Sequence, residues 1–133
     1  MISYGVYVFI YYEVFEIMNE LYDKVAHVLA LAYMRVNWRR MGKRSSYDVF
    51  QHRLKTSSSQ QTIPKFIDKL CKGLSLQSIS ANPEDIEYLE SHREEVLRMI
   101  REESVYLTLL AAKKAKELKK KKKEKREEEE NES

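Results

Sequence analysis

YVFIYYEVFEIMNELYDKVAHVLALA, residues 7–32, sets its apolar side chains in a 4-3-4-3 rhythm: Tyr7, Tyr11, Val14, Met18, Leu21, Val25, Val28 and Ala32. On a helix these positions make one continuous stripe sustained for more than three heptads. Glu13, Glu16, Glu20, Asp23 and His27 keep the same rhythm on the far side. The spacing predicts a long amphipathic helix from about residue 6 to about residue 41, with a break near Asn19 as an alternative. Val8, Phe9, Ile10, Phe15, Ile17 and Leu29 widen the stripe beyond a two-stranded seam. A stripe that wide packs in a bundle or against a partner. We therefore expect self-association, or docking on other protein subunits, through the residue 7–32 helix.

Working outward, three Gly and two Pro in 133 residues leave few helix breakers, and helix formers abound. The fold class expected is all-α: a small bundle of about four helices, the last a long helix running into a charged tail. Ser45 or Ser46 can cap a second helix through Lys55, with Tyr47, Phe50 and Leu54 facing inward. Thr56 to Gln61, TSSSQQ, reads as a polar loop without an apolar anchor. Thr62 caps a third helix that has Pro64 in its first turn, Phe66, Ile67 and Leu70 inward, and Gly73 as its end. Leu74 to Ile79 reads as a connector. Asn82, Pro83, Glu84, Asp85 and Glu87 form the clearest start signal: a cap, a proline at the first position, and acids at the positive end of the dipole. Ile86, Leu89, Val96, Ile100, Leu107 and Leu110/Ala111 supply its buried stripe. No Gly or Pro follows, so one helix is expected to reach about residue 125, a length of ~60 Å. Beyond Leu118 it has no apolar face and stands as a solvated helix or a disordered tail. The division expected is a bundle domain at 1–112 and a Lys/Glu-rich low-complexity tail at 113–133.

Charge lies along the chain in blocks that the net +3 conceals. Residues 35–72 hold ten Lys/Arg and two acids, and residues 113–126 hold ten Lys/Arg and two Glu. Residues 1–34 and 73–112 are net acidic, and residues 127–133 contain five Glu. Within the first basic block Arg35, Arg39, Arg40, Lys43, Arg44, Arg53 and Lys55 are interleaved with Trp38, Tyr47 and Phe50. Cations and aromatics mixed in one segment suit a phosphate backbone with bases free to stack. The candidate nucleic-acid-binding residues are therefore Arg35, Trp38, Arg39, Arg40, Lys43, Arg44, Arg53 and Lys55. Two structural roles compete: cations at 35, 39 and 40 also complement the negative end of the first helix, and Trp38 is equally suited to a core. The tail lysines read either as a solubilising appendage or as a nonspecific phosphate-binding arm whose acidic end competes for the same lysines.

Catalytic chemistry has little to stand on. There is no Gly-rich phosphate loop or dinucleotide fingerprint. His27, His52 and His92 share no metal-ligand spacing with one another or with Cys71. Asp48 and His52, one turn apart, make a conceivable but nonspecific acid–base pair. We expect no enzyme, no cofactor and no metal. The single cysteine, Cys71, excludes an internal disulfide and reads as a small buried hydrophobe. The apolar start lacks a basic leader and a cleavage site, and residues 2–12 are too short an uncharged run to cross a bilayer. A cytoplasmic location without membrane insertion is the expectation.

Residues 1–112 resemble the small all-helical subunits of archaeal CRISPR effector complexes, particularly that of the type I-A interference complex. The resemblance rests on size, helical content, Tyr7-Val8-Phe9-Ile10-Tyr11-Tyr12, Leu21-Tyr22-Asp23-Lys24-Val25-Ala26 and the basic centre. It implies a noncatalytic protein, present in several copies, that lines the belly of a ribonucleoprotein complex and supports target DNA strands in antiviral defence. It assigns no residue a role, so the binding residues above come from charge pattern alone. The competing classes are an interaction protein working through its heptad face, and a mobile-element accessory factor that blocks a nucleic-acid machine.

Overall fold

The computed structural model describes residues 4–35, 45–71 and 79–131, with side-chain surroundings for 19–35, 45–71 and 79–129. Its described residues form six helices: α1 (Tyr4–Arg35), α2 (Ser46–Ser57), α3 (Ile63–Cys71), α4 (Pro83–Ser91), α5 (Arg93–Glu102) and α6 (Ser104–Asn131). The fold is all-α, as the periodicity predicts, but with six helices among the described residues rather than about four. None of the described helices is long and apolar enough to cross a membrane.

α1 runs through Asn19 without a break. Leu21, Val25, Val28, Leu29 and Ala32 of its stripe are buried in one core with Phe50 and Leu54 of α2, Ile63, Phe66, Ile67 and Leu70 of α3, and Leu89, Val96, Ile100, Leu107 and Ala111 further on. Each fully buried Leu, Val, Ile or Phe contributes about 1.5–3 kcal/mol over its exposed state. This half of the stripe is thus occupied inside the chain. The side chains of Tyr7, Tyr11, Val14 and Met18 lie outside the described ones.

Ser45 caps α2, its hydroxyl accepting from the Asp48 amide at 3.2 Å. Phe50 and Leu54 face inward, but Tyr47 is 41% exposed, which corrects the inward placement expected for it. Phe50 and the start of α2 are met instead by Tyr33 of α1, whose ring lies edge-on to Phe50 at 5.1 Å and whose hydroxyl lies 2.9 Å from the Ser46 Oγ. The loop at 56–61 also departs from expectation, being fastened by polar groups. Ser57 and Ser58 are buried, the Ser58 hydroxyl donates to the Lys55 carbonyl at 2.7 Å, and Lys69 Nζ donates to the Thr56 carbonyl at 3.0 Å. Apolar counting misses an anchor made of hydroxyls and carbonyls.

Thr62 stands before α3, its Oγ1 accepting from the Lys65 amide at 3.3 Å. The first-turn amide of Ile63, a buried residue, donates to the Glu90 carboxylate of α4 at 2.7 Å, an anion at a helix N-terminus. Asn82 caps α4 with Pro83 at its start, the Asn82 side chain accepting from the Glu84 amide at 2.9 Å. Gly73 and Leu74 lie outside the described residues.

The single helix expected from 83 onward is three helices, broken at His92 and Glu103. Neither break needs Gly or Pro. At the first, the Tyr88 carbonyl is taken by the Ser91 hydroxyl at 2.6 Å and by His92 Nδ1 at 2.9 Å. The His92 amide then turns to the Leu89 carbonyl at 3.1 Å. Side-chain competition for a helix carbonyl of this kind bends helices. The bends lay α4 against α1 and α5 against α2 and α6. Lys24 of α1 pairs with Asp85 of α4 at 2.9 Å and lies 5.2 Å from the centre of the Tyr88 ring.

Candidate nucleic-acid interface

Of the residues proposed for phosphate contact, Trp38, Arg39, Arg40, Lys43 and Arg44 lie outside the described residues. The structure places Arg35, Arg53 and Lys55. Arg35 is exposed in the last turn of α1, where its charge complements the helix dipole. The Tyr33 contacts to Ser46 and Phe50 set this end of α1 against the first half of α2. Lys55 is exposed in the last turn of α2, about 13 Å along the helix from Ser46. Arg53, half-buried, has its pKa lowered by burial, with Cys71 opposing the shift. Two residues apart on one helix, Arg53 and Lys55 point to different sides. The three described cations therefore do not converge on one phosphate.

Cys71 is buried and free, and burial pushes its thiol up to about 11, partly offset by Arg53. It is a core side chain, as the sequence predicts. Among the described residues no group of three His, Cys, Asp or Glu is placed to hold a metal ion. His52 is exposed on α2, and Asp48 is engaged at the α2 start through its backbone amide.

A second concentration of cations stands in better order. α6 continues as one helix through Leu118 to Asn131. Its inner face is buried at Leu107, Thr108, Ala111, Ala112 and Ala115. At 100° per residue the opposite face carries Val105, Tyr106 and Leu109, then Lys113, Lys116, Lys120 and Lys123. The four lysines are all exposed and span about 15 Å of helix. Lys114, on the flank, pairs with the Asp23 side chain of α1 and donates to its carbonyl at 3.4 Å. That contact and buried Ala115 fix the root of the arm to the body, beyond the boundary drawn after residue 112. Reading the tail as low complexity misses this order. The signal that finds it is the i, i+3, i+7, i+10 spacing of Lys113, Lys116, Lys120 and Lys123, visible once the helix phase is set by Leu107 and Ala111.

Comparison with known proteins places the chain in no group: no family model, curated protein or solved structure matches it.

Proposed function

We propose that this chain is a noncatalytic helical protein that binds the phosphate backbone of nucleic acid, as a subunit of a nucleic-acid-binding complex. The observation that carries the reading is the exposed lysine row of α6, rooted on the body by Ala115 and Lys114. Cations held in a row on a rigid helix release condensed counterions when laid along a phosphate backbone. The basic segment from Arg35 to Arg44, with Trp38 as a stacking platform, supplies a second contact zone for single strands. A subunit of an archaeal CRISPR effector complex that supports target strands would use such surfaces, and the family resemblance gives that proposal its content.

The test is fluorescence anisotropy with single- and double-stranded DNA and RNA across a salt series. We expect log K to fall with log salt at about −0.7 to −0.9 per phosphate neutralised. Lys116, Lys120 and Lys123 changed to Gln reduce that slope by about two to three. Arg39, Arg40 and Arg44 changed to Glu in a chain ending at Leu118 test the central zone without the distal lysines. If both charge variants bind as the unaltered chain does, the basic zones are solvated faces. The reading then fails in favour of the interaction protein, which the exposed Val105, Tyr106 and Leu109 favour independently.

A further inference from the structure

Contacts between distant residues fix how α1, α2 and α6 run beside one another. Tyr22 of α1 reaches Glu103 and Tyr106 at the start of α6. Arg101, just before that start, donates to the Ser58 carbonyl at the end of α2, at 3.5 Å. Further along α1, Tyr33 meets Ser46 and Phe50 at the other end of α2. Tyr22 to Tyr33 is about 17 Å of helix and α2 is about 18 Å long. Because α2 also packs along α6, α1 and α6 run in the same direction and α2 runs against both. The end of α1 and the start of α2 therefore stand level with α6 at about residues 115–120. From Lys119 to Glu129 every residue of α6 is exposed.

Two inward faces run out together at this end. Tyr47 shares the face of Leu54, two turns along α2, yet Leu54 is fully buried and Tyr47 is 41% exposed. On α6, buried Thr108, Ala112 and Ala115 form a strip at four- and three-residue steps, and its next positions are Lys119 and Lys122. Glu103, Tyr106 and Lys114 reach α1 from the other flank of α6, so the strip faces α2. Lys116 borders it. Lys116, Lys119 and Lys122 are also the lysines of α6 with no acid three or four residues away on either side. Lys113, Lys120, Lys121 and Lys123 each have a Glu at one of those positions, where opposite charges on a helix interact.

We propose that Tyr47 and these three lysines form one site for a single strand of nucleic acid. A base stacks on the tyrosine ring, and Lys116, Lys119 and Lys122 hold the phosphates beside it. The site rests on the nucleic-acid reading above and narrows it to strands with unpaired bases. A scattered exposed tyrosine needs no ligand, but this one ends a buried face at the level where the lysines begin. Stacking on an aromatic side chain tolerates any sequence and requires a base whose face is open, which pairing in a duplex denies. Lys116 to Lys122 spans about 9 Å of helix, so the row follows the backbone on from the stacked base.

Fluorescence anisotropy of the full chain with a labelled DNA single strand of about 16 nucleotides, and with the duplex of the same sequence, tests the site. Tyr47→Ala is expected to keep its fold by circular dichroism, to weaken the single strand about tenfold and to leave the duplex within about twofold. Tyr47→Phe, which keeps the ring, is expected to bind as the unaltered chain does. Lys116→Gln, Lys119→Gln and Lys122→Gln together are expected to lower the single-strand salt slope by about two. In that chain Tyr47→Ala is expected to cost less than about threefold, since residues serving one site do not add. The proposal is overturned by a Tyr47→Ala chain that binds the single strand as tightly as the unaltered one. Equal losses on strand and duplex overturn it too, as does a Tyr47→Ala loss that is the same with and without the lysines. Those three results leave lysine-dependent binding, and so the nucleic-acid reading, intact. A chain that binds neither probe overturns both.

Discussion

The Tyr22 hydroxyl donates to the Glu103 carboxylate, 81 residues further along the chain, at the residue where α5 ends and α6 begins. Burial, the hydrogen bond to Glu103 and the negative charge of that carboxylate push the Tyr22 pKa up to about 12. One contact therefore ties α1 to the bend that aims α6. Removing the hydroxyl with Tyr22→Phe is expected to cost about 1.5–3 kcal/mol, the value of a hydrogen bond to a charged group. Urea unfolding is the measurement, and an unchanged midpoint would show that water replaces the bond without loss.

Phe50 is fully buried and Tyr47, three residues earlier on α2, is not. Phe50→Ala is expected to destabilise by about 3–5 kcal/mol through lost transfer energy and the cavity left behind. Tyr47→Ala stays within about 0.5 kcal/mol, as a surface change does. Thermal melts of the two variants give the contrast. Equal losses would mean that Tyr47 is held in a contact its exposure conceals.

Alkali acts on Cys71. Its folded pKa is raised from 9.0 to about 11, so the folded chain holds the proton more tightly than the unfolded one. The stability this brings is complete below pH 9 and is lost as pH rises from 9 to 11. The full loss is of the order of 2–3 kcal/mol at about 1.4 per pKa unit. Cys71→Ala is expected to cost stability at neutral pH while flattening the fall above pH 9. Parallel slopes for the two chains in urea titrations at stepped pH would rule the thiol out as the cause.

Ser80 stands in the left-handed region, at φ 58°, in the turn before the Asn82 cap. A non-glycine residue there costs of the order of 1–3 kcal/mol, and glycine is free of that cost though it loses more entropy on folding. Ser80→Gly is expected to stabilise by about 0.5–1 kcal/mol, whereas Ser80→Val destabilises. A melting temperature lowered by the glycine would show that the serine side chain makes up for its backbone.

The 4-3-4-3 stripe, the Ser45 and Asn82 caps and the Pro83 start depend on neighbours within one or two turns. The all-α class and the starts of α2 and α4 were therefore legible in the sequence. So was Cys71 as a core side chain, because a lone thiol in a segment with Phe66, Ile67 and Leu70 packs as a small hydrophobe. What periodicity could not reach was every feature set by groups far apart in the chain. At the Glu103 break the carboxylate meets a tyrosine 81 residues away. The break at His92 is local, but it is made by the Ser91 and His92 side chains at the Tyr88 carbonyl, which apolar spacing does not register. The 56–61 loop is fastened by Lys69, and Phe50 of α2 packs edge-on against Tyr33 of α1 while Tyr47 stays exposed. The candidate site divides the same way. Composition located the cations, while the phase of α6 decided which lysines share a face and left Val105, Tyr106 and Leu109 outside the core. Local hydrogen bonding and hydrophobic spacing are written in consecutive residues. Which face of a helix is covered depends on what the rest of the chain folds against it, and only the tertiary structure settles that.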